Sequence, residues 1–320
     1  MKYMLLIAVL FPVVLNAQSV KPVTRDINAS SYKTIALPER PDFLTTDQDN
    51  AWVIDDKGNR IQKISISHSN PLLTVTIPGA CAAPVAGFNA VWVMSCSEKT
   101  LYKINRNTGA IIKKIYTGVA DSNGEMSLAS GDGSVWLLSD STGILSRINP
   151  NSNKIEASIR VKPHSYCAGF GYHAVWITNT DSNSVQRIDV KTNSVVSTIM
   201  VGKRPRFLSV GANSVWTLNQ GDGTVSKIDP YSNKMIATID ADAKGGGGDI
   251  AAGSSKVWIV STNTKRPVQT INTKTNQVEK IYTQNSSNEK DMRVDGAVRV
   301  SKKYIWVTGL YRKAVWVFKK

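Results

Sequence analysis

A tryptophan preceded by Ala, Val or Ile recurs at Trp52, Trp92, Trp136, Trp176, Trp216, Trp258 and Trp306, at spacings of 40, 44, 40, 40, 42 and 48 residues. Self-similarity at this period marks a unit that cannot bury its own faces and must stack on its neighbours. Five units align on Trp over 26 residues without a gap, from Ser214–Ile239 (SVWTLNQGDGTVSKIDPYSNKMIATI) to Ala174–Ile199 (AVWITNTDSNSVQRIDVKTNSVVSTI), with 90–115, 134–159 and 256–281 in the same frame. Each holds three short runs rich in β-branched residues: the Trp run, a second typified by Val225–Ile228 and a third by Met235–Ile239. Turn chemistry separates them, as in Gly221-Asp222-Gly223 and Asp229-Pro230-Tyr231-Ser232-Asn233. A fourth run precedes each Trp, as in Phe207–Val210, Met126–Ala129 and Ile250–Ala252. Seven units of four antiparallel strands predict an all-β, seven-bladed β-propeller.

The chain ends test that count, because a closed ring cannot leave a blade with an open edge. The last unit has a Trp strand, Tyr304–Thr308, and a second strand, Ala314–Phe318, but the chain stops at Lys320 before a third. Ser31–Leu37, ahead of the first complete unit, reads as an orphan outer strand. The expectation is that it completes blade seven and latches the ring.

Residues 1–17 carry one Lys, an apolar run from Met4 to Leu15 and a small residue at Ala17. That is the pattern of a secretory leader, too short for a membrane span. Residues 18–320 are then expected to form a single propeller domain, monomeric and periplasmic or secreted after cleavage near Ala17. No later segment is apolar enough to cross a bilayer.

The formal net charge is +15, an excess that commonly points to polyanionic partners. Much of it is periodic: Lys63, Lys103, Arg147, Arg187 and Lys227 each stand eleven residues after their Trp. The expectation is structural, with the stem packed on a neighbouring blade and the head reaching water or an Asp such as Asp189 or Asp229. Of the three cysteines, Cys81 and Cys96 fall at adjacent ends of neighbouring antiparallel strands, which predicts a disulfide in an exported protein. Cys167 reads as a small buried residue.

Inner strands line the central channel of a propeller, so the residues nine to eleven before each Trp mark one mouth: Asp42, Cys81, Glu125, Tyr166, Arg206, Asp249 and Asp295. A second set after each Trp reaches the same rim: Asp55, Cys96, Asp140, Asn179, Asn219, Ser261 and Gly309. The scaffold positions repeat while these differ from blade to blade, as expected of a mouth shaped for a particular ligand. Its carboxylates could orient a polar ligand, hold Mg²⁺ or Ca²⁺, do acid and base work, or pair with Arg206, Arg293 or Arg299.

Other chemistry is thin. The three His (His68, His164, His173) have no metal-ligand spacing, so zinc and copper are not expected. Gly245–Gly248 precedes a strand rather than a helix and is no phosphate loop. No Gly-x-Ser-x-Gly nucleophile elbow occurs.

Segments such as Gly211-Ala212-Asn213-Ser214-Val215-Trp216, Val225-Ser226-Lys227-Ile228-Asp229-Pro230 and Val201-Gly202-Lys203-Arg204-Pro205 resemble YVTN-repeat and streptogramin (virginiamycin B) lyase-like propellers over nearly the whole chain after the leader. The resemblance implies the seven-bladed fold. It also implies a lyase that opens a cyclic lactone by elimination with Mg²⁺, a His general base that follows Pro, and Glu residues. Here the position after Pro205 holds Arg206, blade six has Gly248-Asp249, and Pro163-His164 matches with a displacement of about two residues.

Three readings follow. The first is a non-catalytic exported binding propeller that offers a polar mouth to a small ligand, a surface polymer or a protein, with Asp42, Asp55, Asp140, Asn179, Asn219 and Arg299 on the rim. The second is a metal-dependent lyase or lactone hydrolase. In it His164 accepts the proton, Tyr166 and Arg206 hold the oxyanion, and Glu125, Asp249 and Asp295 hold Mg²⁺ or Ca²⁺. The third is nucleic-acid or polyanion binding.

Overall fold

Residues 21–57, 59–120, 126–139, 143–284 and 292–320 are described by the structure, a computed structural model. The leader read over residues 1–17, and the candidates Glu125 and Asp140, lie outside the described residues.

Seven sheets follow one another around the ring. Blade one is built from Pro41–Asp47, Asn50–Asp55, Arg60–Ser65 and Leu73–Thr76, and blade five from Pro205–Gly211, Ser214–Asn219, Thr224–Asp229 and Lys234–Asp240, each a meander in chain order. The fold is the expected seven-bladed β-propeller with four antiparallel strands per blade. Burial follows position in the blade. The Trp strand Ser214–Asn219 is buried at every residue, since a blade lies against each of its faces, whereas the outermost strand Lys234–Asp240 buries only Ile239. The core therefore lies between blades: Trp136 and Leu138 of blade three pack with Val175, Ile177 and Ile188 of blade four.

The repeat has a physical unit. Indole N–H groups of Trp92, Trp136, Trp176 and Trp216 donate to the carbonyls of Gly87, Gly131, Gly171 and Gly211, each five residues earlier. The cation eleven residues after Trp lies over the ring, with the Lys103 Nζ 5.3 Å from the Trp92 centroid and the Arg147 Cζ 5.0 Å from that of Trp136. Its head reaches the next blade: Lys63 donates to Arg106 O, Lys103 to Pro150 O, Arg147 to Val190 O and Lys227 to Thr273 O, while Arg187 reaches Asn233 Oδ1. Two heads also meet an Asp, Lys63 reaching Asp47 at 3.9 Å and Arg147 reaching Asp132 at 3.6 Å, but the partners are not Asp189 or Asp229. Those carboxylates accept N–H bonds of their own turns, Asp189 from Lys191 and Thr192, Asp229 from Tyr231 and Ser232. A carboxylate tied two residues away satisfies the turn, and the long cation is left to span blades.

Lys33–Ala36 pairs antiparallel with Ala314–Lys319 and completes blade seven as its outer strand, with Ile35 opposite Val315. The ring is thus latched by the N-terminal strand. A second use of the N-terminus has no counterpart in the repeat pattern: Val23–Asp26 pairs in parallel with Val278–Thr283 and gives blade six a fifth strand. The short helix Ile27–Ser30, capped by Asp26, carries the chain from blade six to blade seven.

Candidate functional site

At the mouth, three inner strands share one irregularity. The ladder to the Trp strand slips between Pro41 and Leu44, between Ser165 and Ala168, and between Pro205 and Phe207. The slip leaves Asp42 and Phe43, Tyr166 and Cys167, and Arg206 outside the regular pairing. A bulge re-aims side chains that a regular strand would hold against its neighbours. Here it turns Arg206 onto Tyr166: its Cζ lies 4.3 Å from the Tyr166 ring centroid and 5.4 Å from that of Phe207, and its Nη2 donates to the Tyr166 hydroxyl. Phe207 in turn meets Tyr166 edge-on at 5.5 Å and lies 6.3 Å from Phe43.

Above these rings a small cavity of about 40 Å³ is lined by Asp42, Phe43, Arg206, Phe207, Gly246–Gly248, Asp295 and Gly296. Gln220 Nε2 holds the glycine loop through Gly247 O at 2.8 Å, and Asp295 pairs with Arg293 at 2.9 Å. Glycine is required at Gly248, where φ is +117° and a Cβ would stand 2.1 Å from the backbone oxygen of Val260. Below the rings, the axial channel encloses about 320 Å³ and takes lining residues from all seven inner strands or the segments leading into them, including Thr45, Val85, Ser127, Cys167, Ser209, Ala251 and Arg299. Phe43 and Phe207 line both the cavity and this channel, and Tyr166 lines the channel, so the aromatic cluster separates mouth from channel.

The structure brings together Asp42, Tyr166, Arg206 and Asp295 from the expected mouth set. The others have different places. Asp249 is buried in the wall between blades six and seven, where its carboxylate accepts from Arg299 Nη1, Val298 N (3.1 Å) and Ile250 N (2.8 Å). Burial raises its pKa above the ordinary carboxylate value, against the pull of Arg299 and the two N–H groups. Arg299 lines the channel rather than the rim. Asp55 ties its own turn, accepting from Lys57 N and Arg60 Nε. Asn179 and Asn219 are buried, the first bonded to Pro163 O and Ser182, the second to Thr217, Thr224 and Ser226. His164 is exposed with φ of +62°, and lines neither mouth nor channel. Ser261 and Gly309 end their Trp strands.

Among the described residues the metal-dependent arrangement does not come together; Glu125, its third carboxylate, lies outside them. Among the described residues no three of His, Cys, Asp and Glu gather as a metal cluster. Asp249 and Asp295 are each committed to an Arg, and a hard cation between Arg206 and Arg293 would meet like charge. The described residues do not fit Mg²⁺ or Ca²⁺, and His164 is not joined to the carboxylates.

Cys81 and Cys96 form a disulfide with Cα atoms 5.7 Å apart, joining the approach to the inner strand of blade two to the end of its Trp strand. Cys167 is half-buried on the channel wall beside Ser127 and Leu208, and burial pushes its pKa up to about 11. The aromatic separator was missed by sequence reading, although Phe43, Tyr166 and Phe207 stand nine to ten residues before their Trp.

No family model matches the chain, and no curated protein matches it. Solved structures do. A catalytically inactive virginiamycin B lyase from Staphylococcus aureus with quinupristin is 16% identical with a TM-score of 0.74, over 90% of this chain and 98% of that one. BamB from Moraxella catarrhalis is 12% identical at 0.63, over 91% and 99%, and the WD40 domain of Pan2 from Neurospora crassa is 11% identical at 0.69, over 92% and 97%. The chain shares the propeller fold of the streptogramin lyases, and at these identities also that of two proteins with quite different names.

Proposed function

We propose that this chain is an exported, non-catalytic binding propeller that receives a small polar ligand, or a polar segment of a protein or surface polymer, at the mouth closed by Phe43, Tyr166 and Phe207. The observation that carries the reading is the placement of Arg206. Its guanidinium is stacked on Tyr166 and faces the same cavity as Asp42 and Asp295. An arginine fixed in this way is preorganised to read an acceptor group with little loss of side-chain entropy, and the flanking carboxylates accept from donors on the same ligand. Arginine does not serve as a neutral base at ordinary pH, and His164 stands apart from the cavity, which favours binding over elimination chemistry. Export is supported by the pattern of residues 1–17 and by the Cys81–Cys96 disulfide, a bond that persists in oxidising compartments.

The test is a thermal-shift screen of the purified protein against a library of polar metabolites and glycans, each hit repeated with Arg206→Gln. A hit that stabilises the native chain and fails with Arg206→Gln supports the reading. Turnover of a hit, abolished by the same substitution, overturns the non-catalytic part. Cell fractionation tests export directly.

A further inference from the structure

A cavity larger than the mouth and the channel is elsewhere. It lies between blades six and seven and encloses about 600 Å³, within the roughly 300–1,000 Å³ typical of small-molecule sites. The inner strand Gly248–Ala252 starts at the mouth and ends at Ala252; the cavity takes Gly253–Lys256, the turn at the other end of that strand. It is therefore on the face of the ring remote from Arg206. Part of its wall comes from the N-terminal segment that latches the ring, through Arg25 on the fifth strand of blade six and Ser30–Tyr32 on the link to blade seven.

We propose that this cavity is a second binding site, for an anionic organic molecule built on a flat apolar ring. The floor is apolar and aromatic: Trp258 and Tyr282 stack at 5.4 Å and 11°, Phe318 lies 5.1 Å from Trp258, and Val300 and Ile305 extend the surface. The rim is cationic, with Arg25, Lys256, Lys280, Lys319 and Lys320, and no Asp or Glu lines the cavity. Two of these cations have partners. Lys256 reaches Glu279 at 3.9 Å, and Lys319 Nζ lies 4.1 Å from the Tyr32 ring centroid. For Arg25, Lys280 and Lys320 the described residues supply no ion pair. Concentrating like charge around a low-dielectric floor raises the local potential and focuses anions into it. A shallower basic surface, with Lys302 and Lys303, adjoins the cavity through Lys319 and Lys320.

This site differs from the periodic cations of the scaffold, which are used up between blades. The rim residues fall outside the Trp-plus-eleven positions, and the seam they occupy is the one crossed by the N-terminal link. A carboxylate, sulfonate or phosphate satisfies the rim while a mono- or bicyclic ring covers the floor. The inference is independent of the mouth and stands whatever the mouth binds.

The probe is 8-anilinonaphthalene-1-sulfonate, titrated by fluorescence against the full chain. The expected result is one site per molecule, weakened about tenfold or more by the pair Lys280→Glu and Lys320→Glu and unaffected by Arg206→Gln. Lys320 is exposed and Lys280 half-buried, and an unchanged melting temperature of the double variant shows that it is folded. The neutral N-phenyl-1-naphthylamine should bind about tenfold more weakly than the sulfonate. Failure of the sulfonate to bind, equal binding of the neutral probe, indifference to the charge reversals, or loss with Arg206→Gln would each overturn the proposal.

Discussion

The Lys227 ammonium lies 4.9 Å from the centroid of the Trp216 ring, and from there it donates to Thr273 O of the next blade at 2.8 Å. Lys63 with Trp52, Lys103 with Trp92, Arg147 with Trp136 and Arg187 with Trp176 repeat the arrangement. A side chain that a charge count would assign to the surface thus holds blade to blade, with its charge shared between a ring face and an inter-blade acceptor.

Replacing this group with an isosteric apolar one tests the arrangement. Lys227→Met keeps the stem but leaves Thr273 O and Asn276 Oδ1 without their donor. Urea unfolding should show a loss of about 1–3 kcal/mol, with Lys227→Arg retaining most of the stability. A Met variant as stable as the native chain would show that the cation contributes nothing.

Deletion of residues 29–38 should lower the melting temperature by about 5–15 °C and promote association. The deletion removes the buried side chains of Ile35 and Leu37 and uncovers the edge of Ala314–Lys319. Burying two such side chains is worth about 3–6 kcal/mol. Calorimetry with light scattering checks it; an unaltered melting curve counts against the latch.

The Asp249 carboxyl gives a pH signature with a definite sign. Burial raises its folded pKa above 3.8, so the folded chain holds this proton more tightly than the unfolded one. The associated stability is fully present below the unfolded pKa and is lost as pH rises through the folded pKa. Asp249→Asn does not titrate. The stability advantage of the native chain over this variant should therefore shrink as pH rises above the ordinary aspartate range; an advantage that grows with pH would show that Arg299 outweighs burial.

Thiol chemistry follows from the channel. With its pKa pushed up to about 11, Cys167 offers almost no thiolate at neutral pH, and Cys81 and Cys96 are bonded to each other. Ellman's reagent at neutral pH should find no reactive thiol in the native chain and a single one after denaturation without reductant. Rapid labelling of the native chain would show that burial does not hold the thiol in its neutral form.

The mouth shows why some residues were legible and others were not. Asp42, Tyr166 and Arg206 each stand ten residues before their Trp, and all three fall in a bulge that frees the side chain. Asp249 stands nine before Trp258, is paired in register with Val260, and is buried against Arg299. One residue of register in a strand exchanges its two faces, so a window of nine to eleven mixed rim residues with wall residues. Asn179 and Asn219 carry the same polar groups that a ligand site needs, but neighbours two to sixteen residues away in their own blades use them first. The fifth strand of blade six, Val23–Asp26, has no apolar alternation to announce it and is held by the edge it meets.

Sequence by itself determined the number of blades and the strands within them, because each is imposed repeatedly by the same packing of Trp and cation and a repeated requirement leaves a period; it determined the latch because the last period is short of a strand that the first residues supply. Tertiary structure alone decided which carboxylates meet an arginine, that three aromatic rings divide mouth from channel, and that a cation-rimmed cavity opens where the N-terminus crosses between blades six and seven. Those are relations between residues up to hundreds of positions apart, each occurring once, and a contact made once leaves no periodic trace along the chain.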